Sequence, residues 1–425
     1  MFSRLCGNIF LAATRRVYTA PMSHGAISGR RADVDALRAL ALLLLIVYHI
    51  LLIYTGREFW RVNSSYHGYW ADYFLNALTP WRMGLVFFIG GVAVRFMLAR
   101  AKTMDFIAER ASKLLVAFVF AVVVLIPPQR FVRLEEMGYS GKELSYGRYF
   151  SENASHVVHA FGLEGPDLAH AWFLPYLFLY SALAALLWRY APRFVAGAQR
   201  ALERAPLPVV ILGAMALFSF TAAYVFTKIP VSGLIFADFG AHMRFAPVFF
   251  LGVLLGRSEV FVQTLNRLKV RLWIATACAL ALSTALMWLH LHHYIDAPEP
   301  WLLVRGAYGA MMLCSMLALG YWALNKPSPF LDYASDAIMP VYLMHQTFLV
   351  VVGDVIIRQR LGLALEAALL FAAAIILPLI LYQLLVRHFT PLRMLFGLRP
   401  KLKQHYPPAA PAPEAAPEGK GLPQA

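Results

Sequence analysis

Arg38 and His49 lie eleven residues apart in DALRALALLLLIVYHI, a stretch otherwise dominated by apolar residues. Eleven steps of ~100° turn a helix through about 1100°, three full turns and ~20° more. On a helix the two side chains therefore share one face, separated by about 16 Å along the axis. A guanidinium is a permanent cation that can grip a carboxylate or phosphate through two parallel hydrogen bonds. An imidazole switches charge near neutral pH and suits general-base work or proton transfer. The pair reads as a cation at the mouth of a site with a titratable group deeper on the same line. The plainer alternative has Arg38 reaching to lipid headgroups and His49 bonded to a neighbouring helix.

Four further segments carry polar groups where apolar ones would be expected. Arg110 and Lys113, three apart in FIAERASKLLVAF, share a face that would serve an anion or merely anchor the helix end. Trp81-Arg82-Met83 opens an apolar run, followed by Gly90-Gly91, a pair that permits close approach of a second helix. AHAWFLPYLFLYS holds His170 and Trp172, and MPVYLMHQTFLV holds His345 and Gln346. Any one of these histidines would pass for a hydrogen-bonded core residue. Several on different segments are expected to converge on one internal polar site.

The elements that must position these groups follow from composition. Of the 425 residues, 60% are hydrophobic and only 14% charged, and the mean hydropathy is +0.61. A soluble chain carries about a quarter of its residues as charges, and a disordered one far fewer apolar residues. Cys6, Cys278 and Cys314 are too few and too scattered for a disulfide framework or a zinc site. A soluble enzyme, a secreted mini-domain and a nucleic-acid-binding protein are thereby excluded. The chain reads as an all-α, polytopic transmembrane helix bundle.

A span needs roughly 20 mostly apolar residues in a helix, so that every backbone amide is satisfied internally. Ten segments qualify, near 37–55, 82–99, 113–127, 169–189, 207–226, 244–257, 272–290, 303–323, 337–356 and 364–386. The sixth is short, and the third reaches full length only by starting inside a basic stretch. The net charge of +15 marks orientation rather than a polyanion partner, because lysine and arginine concentrate in cytoplasmic loops. Basic clusters fall in alternate loops, which predicts that both termini are cytoplasmic. On the opposite side, residues 56–81 carry Phe59, Trp60, Tyr66, Tyr69 and Trp70, an interfacial belt or a sugar-stacking surface. Residues 128–168 form a second long loop there. Residues 1–32 are expected to form a flexible cytoplasmic arm, with Met22 an alternative start, and 33–390 the membrane domain. Residues 391–425, basic and then rich in proline and alanine, read as a disordered tail.

Taken together, these segments resemble the acyltransferase 3 family of integral-membrane O-acyltransferases, with particular likeness to its branch of glucan-modifying succinyltransferases from Gram-negative bacteria. The resemblance runs from about Asp33 to about Arg387. It rests on five motifs in order: an aspartate and LRA leading to Arg38 and His49; Trp81–Gly91, with Gly84 at the usual proline position; Pro127-Pro128-Gln129 and the charged stretch after it; HAWFL at His170–Leu174; and YLMHQ at Tyr342–Gln346. The family's paired arginines appear here as Arg110 and Lys113, and lysine keeps the charge but loses the planar fork.

The resemblance implies transfer of an acyl group, acetyl or succinyl, from a cytoplasmic acyl-CoA to a hydroxyl of a periplasmic or cell-envelope glycan, in a bacterial inner membrane. The acyl-CoA is a co-substrate, with no tightly bound cofactor expected. His49 is then the general base, and Arg38, Arg110 and Lys113 bind the donor. Trp81, Arg82, Gln129, His170, Trp172 and His345 are candidates for positioning the acceptor or stabilising an oxyanion. A ping-pong route through an acylated His49 and a homo-oligomeric state are both left open by the residues. The competing class is a transporter or flippase using Arg38, His49 and His345 as substrate or proton-relay groups. It is disfavoured by the lack of a visible internal repeat and by the scarcity of acidic residues within the spans.

Overall fold

The computed structural model describes residues 31–56, 60–136, 146–147, 149–150, 168–228, 235 and 238–400. The N-terminal arm, the tail from residue 401 and most of the charged loop after Glu136 lie outside the described residues. Among the described residues there is no β-strand. Helices α1 (Ala32–Ile53), α2 (Tyr69–Leu98), α3 (Thr103–Glu136) and α4 (Ala169–Tyr190) are followed by a short amphipathic α5 (Pro192–Arg204). Then come α6 (Leu207–Val225), α7 (Phe239–Leu255), α8 (Glu259–Leu291), α9 (Glu299–Ala323), α10 (Pro329–Arg358), α11 (Leu363–Val386) and α12 (Thr390–Leu395). Nine described helices are long and apolar enough to cross a membrane, and α7 is a shorter apolar helix of 17 residues. With α7 they match the ten expected segments in order. The chain is an all-α polytopic membrane bundle.

Several helices outrun the expected spans: α8 begins at Glu259 rather than near 272, α10 at Pro329 rather than near 337, and α3 runs to Glu136 rather than near 127. Helix α2 begins at Tyr69 rather than near 82, and α3 at Thr103 rather than near 113. Their first turns are too polar to register as apolar span, yet they helix because neighbours satisfy them. Asn76, buried in α2, donates to Ser283 Oγ at 3.2 Å and accepts from Trp301 Nε1 at 3.1 Å. Arg82 is consequently the middle of a 30-residue helix, not its mouth.

Glycine sets the tightest contact. A Cβ added at Gly91 of α2 would lie 2.0 Å from the Phe249 carbonyl oxygen, and one at Gly252 of α7 2.1 Å from that of Phe88. The backbones of α2 and α7 thus touch directly, the approach the Gly90-Gly91 pair predicted. Within the stretch expected as tail, α12 packs on α3: the Phe396 ring lies 5.0 Å from Phe120, and Arg399 Nη2 donates to Glu109 at 2.8 Å. The start of α1 meets the end of α7 through Arg31 Nη1 and the Gly256 carbonyl, 3.4 Å apart. One end of the bundle, the near end below, therefore gathers the starts of α1 and α3, the end of α7 and the whole of α12.

Candidate functional site

A cavity of about 1340 Å³ runs through the bundle along a single face of α1. Its lining takes Arg31, Val34, Asp35, Arg38, Ala41, Leu42, Leu45, Tyr48, His49 and Leu52 from that region, the three- and four-residue spacing of one helical stripe. From Arg31 to Leu52 the stripe advances 21 residue steps, roughly 31 Å of axial rise, comparable to the hydrocarbon thickness of a bilayer. Arg38 and His49 both line it, as their shared face required.

The near end of the cavity is cationic. Arg31, Arg38, Arg100, Arg110, Lys113 and Arg399 line it, with Asp35 and Asp336 as acidic counterparts. Arg38 is about a third exposed and lies 3.5 Å from Asp35. Arg110 donates to Ser181 Oγ on α4 at 3.2 Å through Nη2, and the Ser181 hydroxyl in turn donates a hydrogen bond to the Leu177 carbonyl. Lys113 pairs with Glu109 at 2.8 Å, and the same Glu109 oxygen accepts from Arg399.

Deeper in, the groups are buried and fixed. His49 Nδ1 lies 3.1 Å from His345 Nε2 of α10, and His345 Nδ1 lies 2.6 Å from the Tyr342 carbonyl oxygen. The Trp60 indole stacks on the His49 ring, with centroids 5.6 Å apart and planes 15° from parallel. The guanidinium carbon of Arg82 sits 3.6 Å above the Tyr48 ring, a cation–π contact, while its Nε and Nη1 have no hydrogen-bond partner. His170 bonds the Leu343 carbonyl through Nε2 at 2.9 Å, and the Tyr342 hydroxyl donates to the His170 carbonyl. The short 3-10 turn bearing His170 and Trp172 opens at Ala169 with φ of 44°, a left-handed conformation that alanine rarely adopts. Alanine held there at a cost of order 1–3 kcal/mol means that the surroundings dictate where the turn places His170.

Of the residues singled out from sequence, Arg38, His49, Arg82, Arg110, Lys113, His170 and Trp172 line the cavity, and His345 backs it through His49. Gln129 and Trp81 do not line it. Gln129 is fully buried and ties α3 to α10 by donating to Thr347 Oγ1 at 2.9 Å. Trp81 donates to the Ala77 carbonyl one turn back at 2.7 Å and packs in a cluster with Leu37 and Tyr308. Several lining residues were not named as candidates, among them Tyr48, Trp60, Arg61, Arg133, Arg244 and Arg305. Tyr48 adjoins His49 in sequence, so adjacency was a signal; Trp60 had only its place in an aromatic-rich loop. Gln346, noted beside His345, lines the cavity as well.

A membrane-embedded helical bundle with a long internal cavity, cationic at the near end, lined deeper in by histidines and by further arginines such as Arg82, Arg244 and Arg305, defines an integral-membrane enzyme of the acyl-transfer class once its sequence relationships are added. Residues 31–383 match the family described as an acyltransferase domain, and the chain belongs to the acyltransferase 3 family. It is similar to "Glucans biosynthesis protein C" of Salmonella gallinarum (strain 287/91 / NCTC 13346), 24% identical over 386 residues that cover 87% of this chain and 95% of the relative. It is also similar to the protein of that name from Escherichia coli O17:K52:H18 (strain UMN026 / ExPEC), 23% identical over 390 residues with the same coverage. No solved structure matches the chain.

Proposed function

We propose that the enzyme moves an acetyl or succinyl group from an acyl-CoA, entering at the near end of the cavity, to a hydroxyl of a glycan presented from the opposite side. The near end faces the cytoplasm in this reading, because the basic clusters lie there, and the membrane is the bacterial inner membrane. The observation that carries it is the single cavity along α1, which joins a cationic mouth to a buried imidazole.

Phosphates of the donor exchange for the loosely held partners of Arg38, Arg110, Lys113 and Arg399 at the mouth. The pantetheine arm extends along the apolar stripe of α1 and brings the thioester to His49. His49 removes the proton from the acceptor hydroxyl as its oxygen attacks the thioester carbonyl. A carbon–oxygen bond forms, the carbon–sulfur bond breaks, and the proton passes to the departing thiolate. Arg82, a buried cation over Tyr48 on the cavity wall, supports stabilisation of the oxyanion. Trp172 and Trp60 offer flat faces against which a sugar ring stacks on the acceptor side.

Mass spectrometry of periplasmic and envelope glycans tests this in cells carrying the wild-type protein, His49→Ala, or neither. The expected outcome is an acyl mass increment with wild type alone, which also reads out which group is moved. An increment that persists undiminished in His49→Ala, with the variant confirmed in the membrane, removes the base assignment.

A further inference from the structure

The contacts of His49 and His345 fix more than their distance. A carbonyl oxygen can only accept a hydrogen bond, so the 2.6 Å contact with the Tyr342 carbonyl requires the proton of His345 to reside on Nδ1. In a neutral imidazole one nitrogen donates and the other accepts, which leaves His345 Nε2 as an acceptor. The atom facing it at 3.1 Å is His49 Nδ1. That nitrogen must then be the donor, and the lone pair of a neutral His49 falls to Nε2. These contacts, with a further backbone hydrogen bond between the His49 ring and Leu45, set the protonation pattern of His49, 296 residues from His345 in sequence.

We infer that His345 is a positioning residue that holds His49 in the Nδ1–H tautomer, so that Nε2 is the atom presented to the acceptor hydroxyl. The inference rests on the proposal that His49 is the base, and adds which nitrogen acts and what selects it. The reaction balances on this arrangement. The hydroxyl proton moves to His49 Nε2 as the new carbon–oxygen bond forms. The resulting imidazolium keeps its Nδ1–H bond to His345 Nε2, and the Nε2 proton is then delivered to the thiolate as the carbon–sulfur bond breaks. The logic parallels the orienting partner of a nucleophile–base pair, with a neutral imidazole where such partners are commonly carboxylates.

Both rings are buried, His49 to 6% exposure and His345 to 0%, so water does not compete for the shared bond. Trp60 stacked on one face of His49 further restricts ring rotation. The lock continues outward: Tyr342 supplies the carbonyl that orients His345 and, through its hydroxyl, binds the backbone of His170. Without such a lock an imidazole in water favours the opposite tautomer only slightly, and either nitrogen could face the substrate.

Substitutions at His345 separate orientation from bulk. Glutamine places an acceptor oxygen near the Nε2 position of the lost ring, whereas asparagine reproduces only the Nδ1 position, next to the Tyr342 carbonyl. Purified full-length protein in nanodiscs is assayed for thiol release from acetyl-CoA and from succinyl-CoA with a β-glucan oligosaccharide as acceptor. His345→Gln is expected to keep kcat within about tenfold of wild type, and His345→Asn to lose about a hundredfold or more, with the KM for the donor unchanged in both. Ring-nitrogen NMR of the wild-type protein carrying isotope-labelled histidine, with the His49 signals assigned by difference against His49→Asn, reads the tautomer directly. It is expected to show the proton on Nδ1. A proton on Nε2 in the resting enzyme, or equal turnover of the Gln and Asn variants, overturns the inference. Because the spectrum of the wild-type protein needs no turnover, a folding defect in a variant does not remove the test. Failure of the base proposal shows differently, as sustained transfer by His49→Ala.

Discussion

The two ends of the α1 stripe solve opposite problems. At the near end, Arg38 is partly exposed, Lys113 and Arg399 share one carboxylate, and Arg110 leans on a serine hydroxyl. Some eleven residues further along, His49 is buried and stacked against Trp60, with its ring bonded to His345; nearby Arg82 is buried over Tyr48. The mouth holds several charges in partly exposed pairs, so the proposed donor binding is spread over many side chains and each is replaceable at modest cost. The interior depends on single atoms in fixed places, and loss of one is not compensated by its neighbours. Binding of a polyanionic donor suits the first arrangement and proton transfer the second.

Three substitutions sharpen that contrast. The largest effect is expected at Arg82. In Arg82→Gln, kcat falls about a hundred- to a thousandfold, because a preformed donor set is lost where negative charge develops. Thermal stability holds, since no carboxylate among the described residues is left unpaired; a kcat near wild type would remove Arg82 from the reaction. At the mouth, Arg38→Ala raises the KM for acyl-CoA roughly tenfold, with kcat nearly unchanged. That KM also rises with ionic strength, as screening of solvated charges requires. A kcat effect larger than the KM effect would show that the two ends are not separable as argued. Smallest is Lys113→Arg, which restores a planar fork beside Glu109 and shifts donor KM by no more than about threefold in either direction. Steady-state kinetics on each purified variant decides all three.

How much of this was legible in the sequence depends on the kind of contact. The stripe of α1 was legible, because residues eleven apart on a helix must share a face, and the cavity follows that face. The glycine contact between α2 and α7 was also legible, since an adjacent pair of glycines in an apolar run has few other uses. The starts of α2 and α3 were not, because YWADYFLNALTPW and TMDFIAER are too polar to score as span. Their helical form depends on partners such as Ser283, Trp301 and Arg399, far away in sequence. The pairing of His49 with His345 was equally hidden: each histidine was visible as an intramembrane polar group, but nothing local says that they meet. Trp60 lay in a loop where an interfacial role explained it just as well. Periodicity reveals what one helix presents, and only packing reveals what another helix presents to it.

In the proposed reaction one cavity joins a donor on the near side to an acceptor on the other, with His49 between them. It is tested most directly in sealed inside-out vesicles containing the full-length protein, with a glucan oligosaccharide trapped inside and radiolabelled acyl-CoA added outside. Labelled ester is expected on the enclosed glucan with the wild-type protein and none with His49→Ala. Label appearing only on glucan supplied outside, or equally on the enclosed glucan with His49→Ala, would contradict it.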